Sequence, residues 1–273
     1  MESKTARLII NIYLGIFLVY LFAPLFVMIA AAFNDSRFPT VMPWKAFTLR
    51  WFSDLWADDR LWGLGDEDGR LGAVANSVLV GLAVVVIAVP VGTLAALLLD
   101  NLRGRVRSFL YALMVAPLLV PGIIIGISTL IFWTRLGVSS GLHLSTVGQC
   151  SFICSYVMLM VLARLQRLDR SLEEAALDLG ASHAQALRLI VLPYLRPSLL
   201  TAAVLSFFQS FENFNTTLFT RGGASTVTIF IASHIRTGVT PEINALGLVL
   251  ISITVIAAVV YSVRRRTAAA TAA

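Results

Sequence analysis

The stretch Ser171-Leu172-Glu173-Glu174-Ala175-Ala176-Leu177-Asp178-Leu179-Gly180-Ala181-Ser182-His183-Ala184-Gln185-Ala186-Leu187-Arg188-Leu189-Ile190-Val191-Leu192-Pro193 lies between two apolar runs, and its reading decides the rest of the chain. Ser171 followed three residues on by Glu174 has the form of a capping box, which predicts a helix start. Leu172, Ala175, Ala176 and Leu179 then fall at i, i+3, i+4 and i+7, one amphipathic face. Gly180 is expected to stop that helix, because glycine takes the left-handed cap conformation without a Cβ clash. Ser182 with Gln185 repeats the capping box and starts a second helix. Pro193 lacks an N–H and biases Leu192 away from helical geometry, so the second helix is predicted to end there. A helix–glycine–helix knob of this size buries little by itself, and its placement predicts a docking element for a soluble partner.

Composition sets the surroundings of that knob. Of 273 residues 58% are hydrophobic and only 13% charged, above the roughly half apolar content of soluble domains. The apolar residues gather in runs of about 20 or more, the length that crosses a bilayer core. An all-α membrane protein with a single transmembrane domain over residues 1–273 is predicted. The net charge of +6 is accounted for by basic loops on one membrane side, without a nucleic-acid partner. Cys150 and Cys154 are four apart in an apolar run, one helix face, and are read as buried free thiols.

Six spans are expected, at about 8–33, 73–99, 109–133, 144–162, 195–219 and 244–263, with the knob at about 171–193 and an unstructured tail at 267–273. The first run ends in Ala30-Ala31-Ala32, which resembles a cleavage site, but it is longer than the 7–15 residues of a signal h-region, so a retained span is predicted. Residues 34–72 form the longest polar connection, with more acidic than basic residues and with Trp44, Trp51, Trp56 and Trp62 interleaved as interface markers. Its Asp66-Glu67-Asp68-Gly69 run falls short of a calcium loop and reads as a solvated turn. Asn76-Ser77 opens the second span. The third contains Pro117, Pro121, Gly122 and Gly126, and backbone groups freed by proline are tolerated where the helix faces protein or water; this span is read as lining a path.

Basic flanks follow at the N-terminus, after span two (Arg103, Arg105, Arg107), after span four (Arg164, Arg167, Arg170) and after span six (Arg264-Arg265-Arg266). That alternation puts both termini in the cytoplasm.

Glu212 lies inside the fifth apolar run, where facing lipid would cost several kcal/mol. It is expected to face the protein interior, a partner subunit or an aqueous path, with Asn213, Thr216 and Thr217 extending a polar stripe. An anionic residue on such a path suits a cationic substrate; a packing role against a partner's arginine is the other reading of the same residue. No Gly-x-x-x-x-Gly-Lys-Ser/Thr phosphate loop is present, and His143, His183 and His234 are scattered. No catalytic centre, metal site or bound cofactor is expected.

Glu174-Ala175-Ala176, three residues, Gly180, nine residues, Ile190, one residue and Leu192-Pro193 resemble the EAA signature of permease subunits of bacterial ABC importers, with every fixed position present. The resemblance implies a type I importer permease with the MetI-like architecture in the bacterial inner membrane. It implies that Glu174, Ala175, Ala176, Gly180, Ile190, Leu192 and Pro193 form coupling helices that sit in a cleft of a cytoplasmic ATPase. It further implies a second permease subunit, two ATP-binding subunits that hydrolyse Mg-ATP, and an extracytoplasmic solute-binding protein.

Thr237-Gly238-Val239-Thr240-Pro241-Glu242-Ile243-Asn244-Ala245-Leu246 is similar to the approach to the last span in permeases of the spermidine/putrescine type. The implied substrate is a polyamine, with Glu212, Asn213, Thr216, Pro121 and Asn76 as candidate path residues. Such permeases often carry an acid where Gly122 stands here, and two acids where Glu212-Asn213 stand. Another amine-containing solute therefore stays open, as does an ATP-independent secondary transporter.

Overall fold

The computed structural model describes residues 4–65, 71–237 and 241–271. The helices are α1 (Lys4–Ala32), α2 (Arg50–Trp56), α3 (Asp59–Trp62), α4 (Ala73–Asn101), α5 (Gly104–Leu119), α6 (Gly122–Arg135), α7 (Leu142–Leu165), α8 (Ser171–Asp178), α9 (His183–Ala186), α10 (Leu192–Phe211), α11 (Asn215–Thr220), α12 (Val227–Thr237) and α13 (Pro241–Thr271), with a π turn at Leu187–Val191 between α9 and α10. Among the described residues there is no strand, only a lone bridge between Asn34 and Phe47. Helices satisfy every backbone group within one segment, which a bilayer demands. The protein is an all-α membrane protein.

The chain forms two compact units. The first comprises residues 1–59 and 231–273 and packs α13 against α1 and α2. Its connection after α1 is ordered by Asn34, which is fully buried. The Asn34 amide donates to the Thr40 carbonyl (2.8 Å), its Oδ1 accepts from Lys45 N–H (2.9 Å), and its own carbonyl accepts from the Trp51 indole (2.9 Å). Trp51 is thus held by a polar anchor as well as by burial.

The second unit, residues 60–230, has its core where α4, α7 and α10 meet. Val80, Val84 and Ala88 of α4 pack with Ile153, Val157 and Val161 of α7 and Leu195 and Ala202 of α10. Small residues let two of these backbones approach closely. A Cβ at Gly92 would stand 2.6 Å from Val157 Cβ and 2.7 Å from the Cys154 carbonyl. Cys150 and Cys154 are free thiols as expected, Cys150 buried and Cys154 half-buried where burial of both was predicted.

The structure departs from the expected layout at several points. The third run is two helices, α5 and α6, bent by 102° at Val120-Pro121; proline cannot continue the backbone ladder there. The fifth run ends at Phe211, and Glu212–Phe214 interrupt it before α11. Pro193 does not end a helix. The Leu192 N–H bonds the Leu187 carbonyl, five residues back, and Leu192 itself is helical (φ −63°, ψ −43°). The widened π turn absorbs the missing donor and the proline ring, so residues 183–211 form one apolar helical stretch of 29 residues.

The backbone of α13 is helical through Thr271, where an unstructured tail was expected from 267; the alanines there favour helix. Among the described residues four helices are long and apolar enough to cross a membrane, five if the bent α5–α6 pair counts as one span. The Asp66–Gly69 turn and Gly238–Thr240 lie outside the described residues.

Candidate functional site

Two places carry the sequence-predicted residues. The first is the α8–α9 knob. No residue of α8 is buried, and Leu172, Leu179 and Leu189 are exposed apolar side chains. Ala175 is exposed and Ala176 half-buried, so the amphipathic face has no cover from its own chain. The expected Ser171–Glu174 capping box is not formed. Asp169 takes its place, with Oδ1 accepting from the Ser171 N–H at 3.0 Å. The Ser171 side chain first, and its N–H second, hold the Asp169 carboxyl below its ordinary range, since both favour the charged form. The Glu174 side chain is exposed and takes no part in a cap, which corrects the reading that it closes the capping box.

The joint itself follows the sequence. Gly180 has φ +89°, and its N–H bonds the Leu177 carbonyl. Ser182 and Gln185 form the full capping box, with Ser182 N–H to Gln185 Oε1 at 2.7 Å and Gln185 N–H to Ser182 Oγ at 3.3 Å. Ile190 lies in the π turn and Leu192-Pro193 start α10, all half-buried. The knob is tied back to the end of α4 by Arg170, whose Nη2 donates to Asp100 Oδ2 at 3.0 Å and to the Asp100 carbonyl at 3.3 Å.

The second place is the break between α10 and α11. Asn213 Oδ1 accepts from the N–H groups of Thr216 (3.1 Å) and Thr217 (3.3 Å) and so caps α11. Thr216, fully buried, donates from Oγ1 to the Gly122 carbonyl (3.3 Å), which joins this break to the Pro121 break between α5 and α6. Gly126 leaves room for that contact, since a Cβ there would stand 2.9 Å from the Thr216 carbonyl oxygen. Pro121, Asn213 and Thr216 are therefore brought together.

Glu212 and Asn76 are not part of that cluster. Glu212 is exposed at the C-cap of α10, so of its three expected settings the interior of its own chain is ruled out and a partner subunit or an aqueous path is left. The helix ends before it because Asn213 turns back to cap the next one. Asn76 is buried, and its amide bridges the Leu71 carbonyl (2.9 Å) and the Ser225 carbonyl (2.8 Å), a structural tie.

Gln149 of α7 was not singled out in the sequence. It receives a hydrogen bond from the Ser210 hydroxyl and donates from Nε2 to Thr217 Oγ1 (2.9 Å), linking three helices around the break. Its signal was an amide inside an apolar span flanked by Ser145, Thr146 and Ser151, because a span amide must find a partner.

Comparison with known proteins adds the lineage to this geometry. Residues 88–266 match the family model described as binding-protein-dependent transport system inner membrane component. The chain belongs to that family. It is the permease subunit of an ABC importer and a membrane protein.

Among relatives, the putrescine transport system permease protein PotI of Escherichia coli K12 is 32% identical over 85% of this chain and 82% of its own length. The spermidine/putrescine transport system permease protein PotC of the same strain is 31% identical over 87% and 86%. PotC of Haemophilus influenzae is 29% identical over 88% and 90%. Among solved structures, a bacterial ABC transporter involved in alginate import aligns with TM-score 0.66 over 97% of this chain and 98% of that one, at 16% identity. That likeness concerns the fold.

Proposed function

We propose that this permease imports polyamines, with putrescine or spermidine delivered by an extracytoplasmic binding protein and transport driven by ATP hydrolysis in partner subunits. The observation that carries the coupling half is the α8–α9 knob, apolar, uncovered by its own chain, and jointed at a positive-φ glycine. Glu174, Ala175, Ala176, Gly180, Ile190, Leu192 and Pro193 belong to this element or its continuation into α10. Closure of two ATP-binding subunits pulls on the knob. Because residues 183–211 form one helical stretch, that pull passes directly into α10 and to the break at its far end.

The polyamine half is supported by the names of the PotI and PotC relatives and by Glu212, the carboxylate exposed at the α10–α11 break. Asn213, Thr216 and Pro121 shape that break, and Asn76 steadies the start of α4. One carboxylate beside Asn213, in place of two, also fits a monocationic amine, which is the second reading. Six spans with both termini cytoplasmic, a second permease subunit completing the translocation path, and Mg-ATP handled only by the partners complete the proposal.

The test is a thermal-shift series on the cognate extracytoplasmic binding protein, since a ligand that binds the folded state raises its melting temperature. Stabilisation by putrescine or spermidine is expected. Stabilisation only by anionic or zwitterionic solutes would withdraw the polyamine assignment and make Glu212 a packing residue.

A further inference from the structure

Beyond the knob and the break, a cavity of about 430 Å³ opens between the end of α7 and the start of α10, lined by Met160, Arg164, Arg167, Pro197, Ser198 and Thr201. Two guanidinium groups line it and no carboxylate does. Among the described residues neither arginine forms an ion pair. Arg164 Nε and Ser198 Oγ are buried with no hydrogen-bond partner, and buried donors left unpaired are costly. The Arg164 guanidinium is held in place by stacking 4.1 Å over the Tyr194 ring. A donor set with net positive charge, in which Arg164 Nε and Ser198 Oγ are buried and unpaired and Arg167 is exposed at the mouth, calls for an anion with several acceptor oxygens.

The cavity also lies where α7 ends at Arg164 and Leu165, beside the first turns of α10. From it, exposed apolar side chains continue along both: Tyr156 on α7, Leu200 and Val204 on α10. A water-soluble anion has no use for that strip, whereas a phospholipid places its headgroup at the arginines and its acyl chains along the strip.

We propose that this cavity is a binding site for one anionic phospholipid, its phosphate held by Arg164, Arg167 and Ser198. The site lies at the knob-bearing end of α10, so the lipid braces the helix that the knob moves.

The experiment is native mass spectrometry of the full chain, extracted with its partner subunits and exchanged into mixed phosphatidylglycerol/phosphatidylcholine bilayers. Wild type is expected to retain one phosphatidylglycerol per chain in preference to phosphatidylcholine. Arg164→Gln with Arg167→Gln should weaken retention about thirty-fold, from about 1 kcal/mol per basic group near the membrane surface. Thr201→Trp fills the cavity without touching a charge and should also expel the lipid, while Arg103→Gln with Arg105→Gln, at the start of α5, should not. Equal retention of both lipids, retention unchanged in the double variant, displacement by inorganic phosphate, or cross-linking of Arg164 to a carboxylate of the second permease subunit would each overturn the proposal.

Discussion

The joint at Gly180 offers the sharpest perturbation of the coupling element. Its φ of +89° is left-handed, and a Cβ there would meet nothing within 4 Å. A substitution is therefore penalised by backbone strain alone. For alanine that strain is about 1–2 kcal/mol, a factor of about 5 to 30 against the native angle between α8 and α9. Asparagine tolerates the left-handed region better and a β-branched residue worse. Because α8 buries no residue, the strain is relieved by re-aiming α8 and not by loosening the α4–α7–α10 core. Polyamine uptake in cells expressing the complete transporter should fall in the order Gly180, Gly180→Asn, Gly180→Ala, Gly180→Val. Membrane abundance and the thermal midpoint in detergent should stay level. Wild-type uptake by Gly180→Val would refute the reasoning, and so would a fall in uptake that tracks a fall in thermal midpoint.

Other outcomes follow from the same geometry. Asn213→Ala removes the cap from α11 and should cost about 1 kcal/mol, seen as a lower thermal midpoint, while Asn213→Asp, which keeps the acceptor, should hold most of it. Gln149→Leu matches the volume but strands the Ser210 hydroxyl and leaves Thr217 Oγ1 with only its bond to Asn213, and should destabilise the chain by about 1–2 kcal/mol in detergent unfolding. The Asp169 carboxyl is held below its ordinary value by the Ser171 side chain and, second, the Ser171 N–H, so its contribution to α8 is present above the ordinary carboxylate range and is lost as pH falls through the lowered value. Hydrogen exchange at Ser171 should therefore stay protected down through the usual carboxylate range and quicken only below it, and Asp169→Ala should expose that amide at neutral pH.

Much of the architecture was legible because a bilayer leaves few choices. The apolar runs at 8–33, 73–99 and 144–162 correspond to α1, α4 and α7 with small shifts at their ends. Gly180 and the Ser182–Gln185 box are local devices whose chemistry acts within a few residues, so spacing alone revealed them. Pro193 misled because its rule concerns an α-helical ladder, and the π turn at 187–191 changes that ladder. Ser171–Glu174 misled because Asp169, two residues before Ser171, takes the Ser171 N–H that the box assigns to Glu174. The apolar neighbours of Glu212 left it three settings, the interior, a partner subunit or an aqueous path; the capping preference of Asn213 breaks the helix beside it and leaves the carboxylate exposed on its own chain, which removes the first. The role of Gln149 depends on α7 meeting α10 and α11, a long-range fact that no window of sequence contains.

The measurement closest to the central claim is uptake of labelled putrescine into vesicles carrying this chain, its second permease subunit, the ATP-binding subunits and the binding protein. Uptake should require ATP on the side that bears the knob, and Glu174→Lys should abolish it while the complex remains in the membrane. Uptake by this chain alone down an ion gradient, or unimpaired uptake by Glu174→Lys, would contradict the account.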